Sequence, residues 1–187
     1  MTGAEGELPK GAVSRELTVA DAERLRRFLA EVPADDRSFF KEDVTDPAVA
    51  DRWLGEHRAL RLVVVDEADR VLAFAALSPG VARTSHVGDL SVVVAADARG
   101  VGLGRGLTRR MLVEALRLGL RKVTVDVAAK QGGVIEMFRR LGFEPEALLR
   151  DQLCDASGEL QDIVVLSHFV EDNWSTMLTA GTDLATE

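Results

Sequence analysis

Asp89-Leu-Ser-Val-Val-Val-Ala-Ala-Asp-Ala-Arg-Gly-Val-Gly-Leu-Gly-Arg-Gly-Leu107 is the stretch on which the fold turns. Val92 to Val94 are β-branched and read as a buried strand. Gly100, Gly102, Gly104 and Gly106 follow at every second position. Leu107, Met111, Leu112, Ala115, Leu116 and Leu118 then mark the apolar side of an amphipathic helix. Strand, glycine loop and helix in that order build an anion cradle. Glycine lets successive N–H groups turn toward one point, and a helix N-terminus adds partial positive charge there. The guest that suits such a cradle is a pyrophosphate.

Two common glycine loops fail letter by letter. A Walker loop ends in Gly-Lys-Ser/Thr, and residues 100 to 108 contain no lysine. A dinucleotide fingerprint, Gly-x-Gly-x-x-Gly, would need glycine where Arg105 or Leu107 stands. Arg/Gln-x-x-Gly-x-Gly/Ala does fit, as Arg99-Gly-Val-Gly-Leu-Gly104. This resembles the coenzyme A loop of the GNAT acetyltransferase superfamily. Its flank, Val94-Ala-Ala-Asp-Ala-Arg-Gly100, looks like the family's Val-x-Pro-x-x-Arg-Gly, with Ala96 where proline is usual. Independently, Met137-Phe-Arg-Arg-Leu-Gly-Phe143 resembles the family's Leu-Tyr-x-x-Leu-Gly-Phe. The bland alternative for the loop is a plain tight turn before a helix.

Composition bounds the rest. The chain has 187 residues, of which 47% are hydrophobic and 29% charged, enough for one domain with a full core. Net charge is −8, and no stretch concentrates lysine and arginine with aromatics, so nucleic acid is not an expected partner. No apolar run approaches the roughly 20 residues of a membrane span, and the N-terminus lacks the basic and apolar segments of a signal peptide. With a single cysteine, Cys154, no internal disulfide is available. A cytoplasmic protein without membrane contact is expected. His57, His86 and His168 are scattered and offer no metal-ligand spacing, so no metal is expected.

Along the chain, residues 1–11 read as a flexible lead-in, 12–170 as one domain and 171–187 as a polar tail. A strand is expected over 12–17. Thr18 reads as an N-cap, with Asp21 at the capping-box position before a helix to Val32. Pro33 to Arg37 reads as a turn. Asp46-Pro47 signals a second helix to about Gly55. Strands are expected over 59–65 and 71–77, around a turn at 66–70, and over 87–94. The helix after the glycine loop should stop at Gly119. A strand over 122–127, a short helix over 133–141, and closing antiparallel strands over 143–149 and 160–169 complete the order. This is α+β: one mixed, mostly antiparallel sheet with flanking helices. It is also the GNAT-like order, over residues 13 to 169. The closing strands offer an edge on which a homodimer can be built.

The resemblance implies acetyl-CoA as cosubstrate and an amine as acceptor, either a small molecule or a protein amine. It implies that the main chain of Val92, Val93 and Val94 runs beside the pantetheine arm. Amides of Arg99, Gly100, Val101, Gly102, Leu103, Gly104 and Arg105 would hold the diphosphate. Arg99, Arg105 and Arg109 would add charge, Arg139 or Arg140 would reach the 3′-phosphate, and Arg110 belongs to a solvated helix face. Gln131 falls where the family often has an asparagine contacting the pantetheine amides. Candidate bases are Asp126, on the strand after the loop helix, and Asp89, on the strand before it. A carboxylate set among valines is expected to be desolvated, which suits a base. Phe39, Phe40, Lys41, Glu42 and Asp43 fall in the family's acceptor-shaping segment, with both phenylalanines equally readable as core. Phe138 stands where the family often carries a tyrosine that protonates the leaving thiolate, and the chain has no tyrosine at all. That departure leaves a second reading open, a non-catalytic acyl-CoA-binding regulatory domain.

Overall fold

The computed structural model describes residues 8–37, 40, 42–155 and 157–170. The expectations for residues 1–7, for Ser38, Phe39 and Lys41, and for 171–187 lie outside these. Among the described residues the chain forms a seven-stranded sheet in the order β1-β2-β3-β4-β5-β7-β6. The strands are β1 (Val13–Glu16), β2 (Leu60–Val65), β3 (Val71–Pro79), β4 (Val87–Val94), β5 (Lys122–Ala128), β6 (Glu144–Cys154) and β7 (Leu160–Phe169). The β4–β5 pair is parallel and the other pairs are antiparallel. The helices are α1 (Ala22–Glu31), α2 (Ala34–Arg37), α3 (Val49–Gly55), α4 (Leu103–Arg117) and α5 (Gly132–Arg140).

Period-two alternation divides the apolar residues between two cores, one on each sheet face. Leu62, Val64, Ala73, Leu90, Val123 and Val125 meet Leu107, Met111 and Leu112 of α4 and Phe138 of α5. Val63, Val65 and Phe74 meet Leu25, Phe28 and Leu29 of α1 and Trp53 of α3. Each such fully buried side chain contributes about 1.5–3 kcal/mol, so α4 is firmly seated against the strand that feeds its glycine loop.

Several boundaries differ from the sequence expectations. The turn after Val32 contains α2, fixed by Arg37, which donates from Nε to the Val32 carbonyl (2.8 Å) and from Nη2 to that of Ala30 (2.9 Å). Asp46 caps an Asx turn through the Ala48 N–H (2.9 Å), and α3 starts only at Val49. Leu118 falls past the end of α4 and is exposed, while Thr108 takes a buried place by donating to the Gly104 carbonyl (2.8 Å). Strand β6 runs five residues further than expected. The polar run Arg150-Asp-Gln conceals a bulge, where Asp151 has φ 52° and its N–H donates to the Asp162 carboxylate at 3.0 Å.

The expected cap at Thr18 opens a 3-10 turn, Val19–Asp21, that leads into α1, and it is a fuller network. The Asp21 carboxylate, 0% exposed, accepts from both Arg15 terminal nitrogens (2.6 and 2.7 Å) and from the Thr18 N–H (2.9 Å) and hydroxyl (2.8 Å). Arg15, then Thr18, hold this carboxyl well below the usual carboxylate range. Its stabilising effect is therefore complete above about pH 4 and is lost as pH falls toward the depressed value. Asp21→Ala removes these charge-assisted bonds, while Arg15 keeps access to solvent, and should cost about 2 kcal/mol in urea melts at pH 7.

His168 is the opposite case. It is 1% exposed, its ring lies 5.1 Å from that of Phe143, and neither ring nitrogen meets a protein partner among the described residues. Burial pushes its pKa below the ordinary value of about 6.5. The unfolded chain therefore binds a proton that the folded chain refuses, and stability falls as pH drops below about 6.5. His168→Leu should remove this loss, at most about 1.4 kcal/mol per pH unit, in melts compared at pH 7 and pH 5.

Candidate functional site

The site begins where the sheet splits. β4 and β5 pair only over Val87↔Lys122, Gly88↔Val123 and Asp89↔Thr124. Beyond that, β4 stays with β3 as far as Val94 and β5 stays with β7 as far as Ala128. Each strand keeps its outer partner and the inner edges part. The direction of the β4 main chain follows from two bonds to β3: the Ala95 N–H donates to Leu72 (2.9 Å), and the Val87 carbonyl accepts from Gly80 (2.8 Å). Alternation then turns the N–H and C=O of Leu90, Val92 and Val94 toward the open edge, and those of Val93 toward β3. At that edge the Val94 carbonyl accepts from Arg99 Nε (3.1 Å).

The glycine loop closes one end of the split. Gly100 (φ 81°) and Gly102 (φ 90°) lie in the left-handed region, which carries the chain from β4 into α4. Gly102 is the N-cap, and the first intrahelical bond runs from the Gly106 N–H to its carbonyl (2.9 Å). The N–H groups of Leu103 and Gly104, in the first turn, therefore have no acceptor four residues back in the helix. They lie at the positive end of a 15-residue helix.

Split and loop share one cavity of about 760 Å³, within the usual range for ligand sites. Its wall includes Asp89, Val92, Val93, Val94, every residue from Arg99 to Arg105, Asp126, Gln131 and Phe138. Both candidate carboxylates, the β4 valines, the loop residues, Gln131 and Phe138 thus share one wall. Arg109, Arg139 and Arg140 do not line it; Arg140 pairs with Glu136 (3.0 Å). Arg110 is not on a solvated face, because its Nη1 donates to the Ser14 carbonyl of β1 (2.6 Å).

The two carboxylates occupy one sheet face. The Asp89↔Thr124 register puts Asp89 on the same side as Thr124, and Asp126 follows two residues on. The valine setting does not desolvate Asp126, which is exposed, while Asp89 is half-buried. The valines beside Asp126 face the opposite core. Phe40 also lines the cavity, stacked on Trp53 (5.8 Å between centroids), which stacks in turn on Phe74 (5.2 Å). It serves as wall and core together. Glu42 accepts from Trp53 Nε1 (2.7 Å), and Asp43 accepts from the Thr45 hydroxyl (2.6 Å). Phe138 is 3% exposed and meets Phe143 edge-on at 5.1 Å.

Ser91, Met137 and Asp36 also line the cavity and were not legible as site residues. Period-two spacing from Asp89 was the available signal for Ser91, and helical spacing from Gly133 for Met137. Asp36 arrives from α2, 53 residues before Asp89, with no motif around it.

A parallel pair that parts beside the N-terminus of a glycine-led helix, in a mostly antiparallel sheet with flanking helices, defines the α+β class of this protein. A model of the Acetyltransferase (GNAT) family matches residues 25–143, and the chain belongs to that family. Solved structures share the fold. An acetyltransferase of the GNAT family from Streptococcus pneumoniae is 18% identical with a TM-score of 0.74, over 84% of this chain and 99% of that one. A ribosomal-protein-alanine N-acetyltransferase from Brucella melitensis is 23% identical with a TM-score of 0.72, over 84% and 99%. A spermidine N-acetyltransferase from Vibrio cholerae, in complex with CoA and spermine, is 17% identical with a TM-score of 0.70, over 86% and 96%.

Proposed function

We propose that this chain is an N-acetyltransferase that moves an acetyl group from acetyl-CoA directly to a primary amine. One observation carries the reading: a helix-end anion cradle and two carboxylates open onto the same cavity, on either side of an unpaired strand edge. The residues fit a diphosphate-bearing thioester. Amides from Arg99 to Arg105 hold the diphosphate, with Arg99 and Arg105 adding charge. Val92, whose N–H and C=O face the opening, pairs with the pantetheine arm as an added strand would, while Val93 and Val94 wall it. Gln131, at the start of α5, supplies a side-chain amide to the same arm. Acetyl-CoA, when bound, supplies the acyl group already activated as a thioester.

The rest is the work of this chain. A β4 N–H at the open edge polarises the acyl carbonyl. The attacking nitrogen must lose a proton, and Asp126 accepts it, directly or through a water that its exposure admits; Asp89 is the alternate acceptor on the same face. Nitrogen–carbon bond formation and carbon–sulfur cleavage then leave a thiolate. Phe138 has no proton to give, so the thiolate takes one from solvent. The cytoplasm, where amines and acetyl-CoA coexist, is the setting we assign.

Incubating the protein with acetyl-CoA and a panel of small amines and N-terminal peptides should release free thiol with at least one acceptor. The lack of a proton donor at Phe138 favours a second reading, a regulatory domain that binds acyl-CoA without turning it over. Calorimetric binding of CoA combined with silence across the whole panel would decide for that reading.

A further inference from the structure

Arg99 stands at the mouth of the glycine loop, and its guanidinium is already engaged. Besides its bond to the Val94 carbonyl, it makes an ion pair with the carboxylate of Asp36. Asp36 comes from α2, on the far side of the cavity in sequence, and its side chain is only 15% exposed. Its backbone is held. The Asp36 N–H donates to the Pro33 carbonyl (2.9 Å), and the neighbouring Arg37 is clamped to the carbonyls that end α1. Both Asp36 and Arg99 line the cavity. A carboxylate on a held backbone thus lies against Arg99, at the start of the loop, beside amides suited to an anion.

We propose that Asp36 is an internal competitor for the cofactor's diphosphate: it occupies Arg99 while the cradle is empty and is displaced when the cradle fills. The inference rests on the coenzyme A reading given above. A diphosphate carries two negative charges where Asp36 carries one, and its oxygens also collect the helix-end N–H groups, so it wins the arginine. Filling the cradle therefore costs the Arg99–Asp36 pair that the empty protein holds, and this cost lowers affinity and speeds departure of the spent cofactor. Asp36 is in this sense an affinity-setting residue.

The test is a double-substitution cycle read by calorimetry with coenzyme A as the probe. Asp36→Asn should tighten CoA binding about two- to fivefold, the size of a partly exposed ion pair. Arg99→Gln should weaken it. In the Arg99→Gln background, Asp36→Asn should change affinity less than about twofold, because the competitor has lost what it competes for. Equal tightening in both backgrounds would mean a general field effect and would overturn the proposal. So would no tightening at all, which would make the pair a brace. Asp36→Ser repeats the measurement should the asparagine variant melt early. A wild-type protein that takes up no CoA defeats the functional reading itself, whereas uptake with an additive cycle defeats only this inference.

Discussion

Gly104→Glu should abolish coenzyme A binding and leave the fold standing. Gly104 sits in the first turn of α4, within the cradle, with ordinary helical backbone. A Cβ built there meets Met137 Sδ and Val94 Cγ2, each at 3.6 Å, which is normal van der Waals contact. The position therefore accepts a methyl group, and a longer side chain must continue between two residues that line the cavity. Glutamate places both bulk and a negative charge where the diphosphate would lie, and like charges brought together cost several kcal/mol. A loss of at least about 10²–10³-fold in affinity is expected. Gly104→Ala is the control. It should keep binding within a few-fold and raise the melting temperature, since alanine gains about 1 kcal/mol over glycine inside a helix. If Gly104→Glu binds CoA as tightly as Gly104→Ala does, the loop holds no diphosphate. Gly102 is a poorer place for the test, because its φ of 90° strains any side chain before a ligand is considered.

The parts of this molecule that were legible in its sequence are those encoded locally. A valine run, alternating glycines and a helical apolar stripe specify β4, the loop and α4 without reference to the rest of the chain. Leu-Gly-Phe specifies the stop of α5 in the same way, with Gly142 at φ 84°. What was hidden depends on contacts between distant segments. Arg110 looks like a surface residue of α4 until β1 brings the Ser14 carbonyl to it. Asp126 looks buried among valines, but alternation sends those valines to one core and the carboxylate to the other face. The second half of β6 reads as loop because a bulge at Asp151 interrupts the period. Asp36 has no local signature; only the folding of α2 against Arg99 gives it a role. The glycine loop was therefore readable residue by residue, and the side of the cavity formed by α2 was not. The same asymmetry explains why the family is plain from this chain while its acceptor rests on proposal.

Asp126→Asn should separate catalysis from cofactor binding. The side chain lies two residues beyond the last β4–β5 pair, at the point where the split has opened, and it lines the cavity with Asp89 on the same face. Asparagine keeps size and polarity but accepts no proton at neutral pH. If Asp126 takes the proton from the attacking amine, turnover with a productive acceptor should fall about 10²–10³-fold at pH 7. CoA affinity should hold within about twofold, because the diphosphate cradle lies on another element. The fall should shrink as pH rises, since a growing share of the amine then arrives already neutral and needs no base. Asp89→Asn distinguishes the two carboxylates: the one whose loss gives this pH-dependent deficit is the base, and the other positions the acceptor. Wild-type turnover across the pH range in both single variants would remove the carboxylates from the chemistry. It would leave solvent as the proton acceptor, and the cavity as a device that works by holding two reactants together.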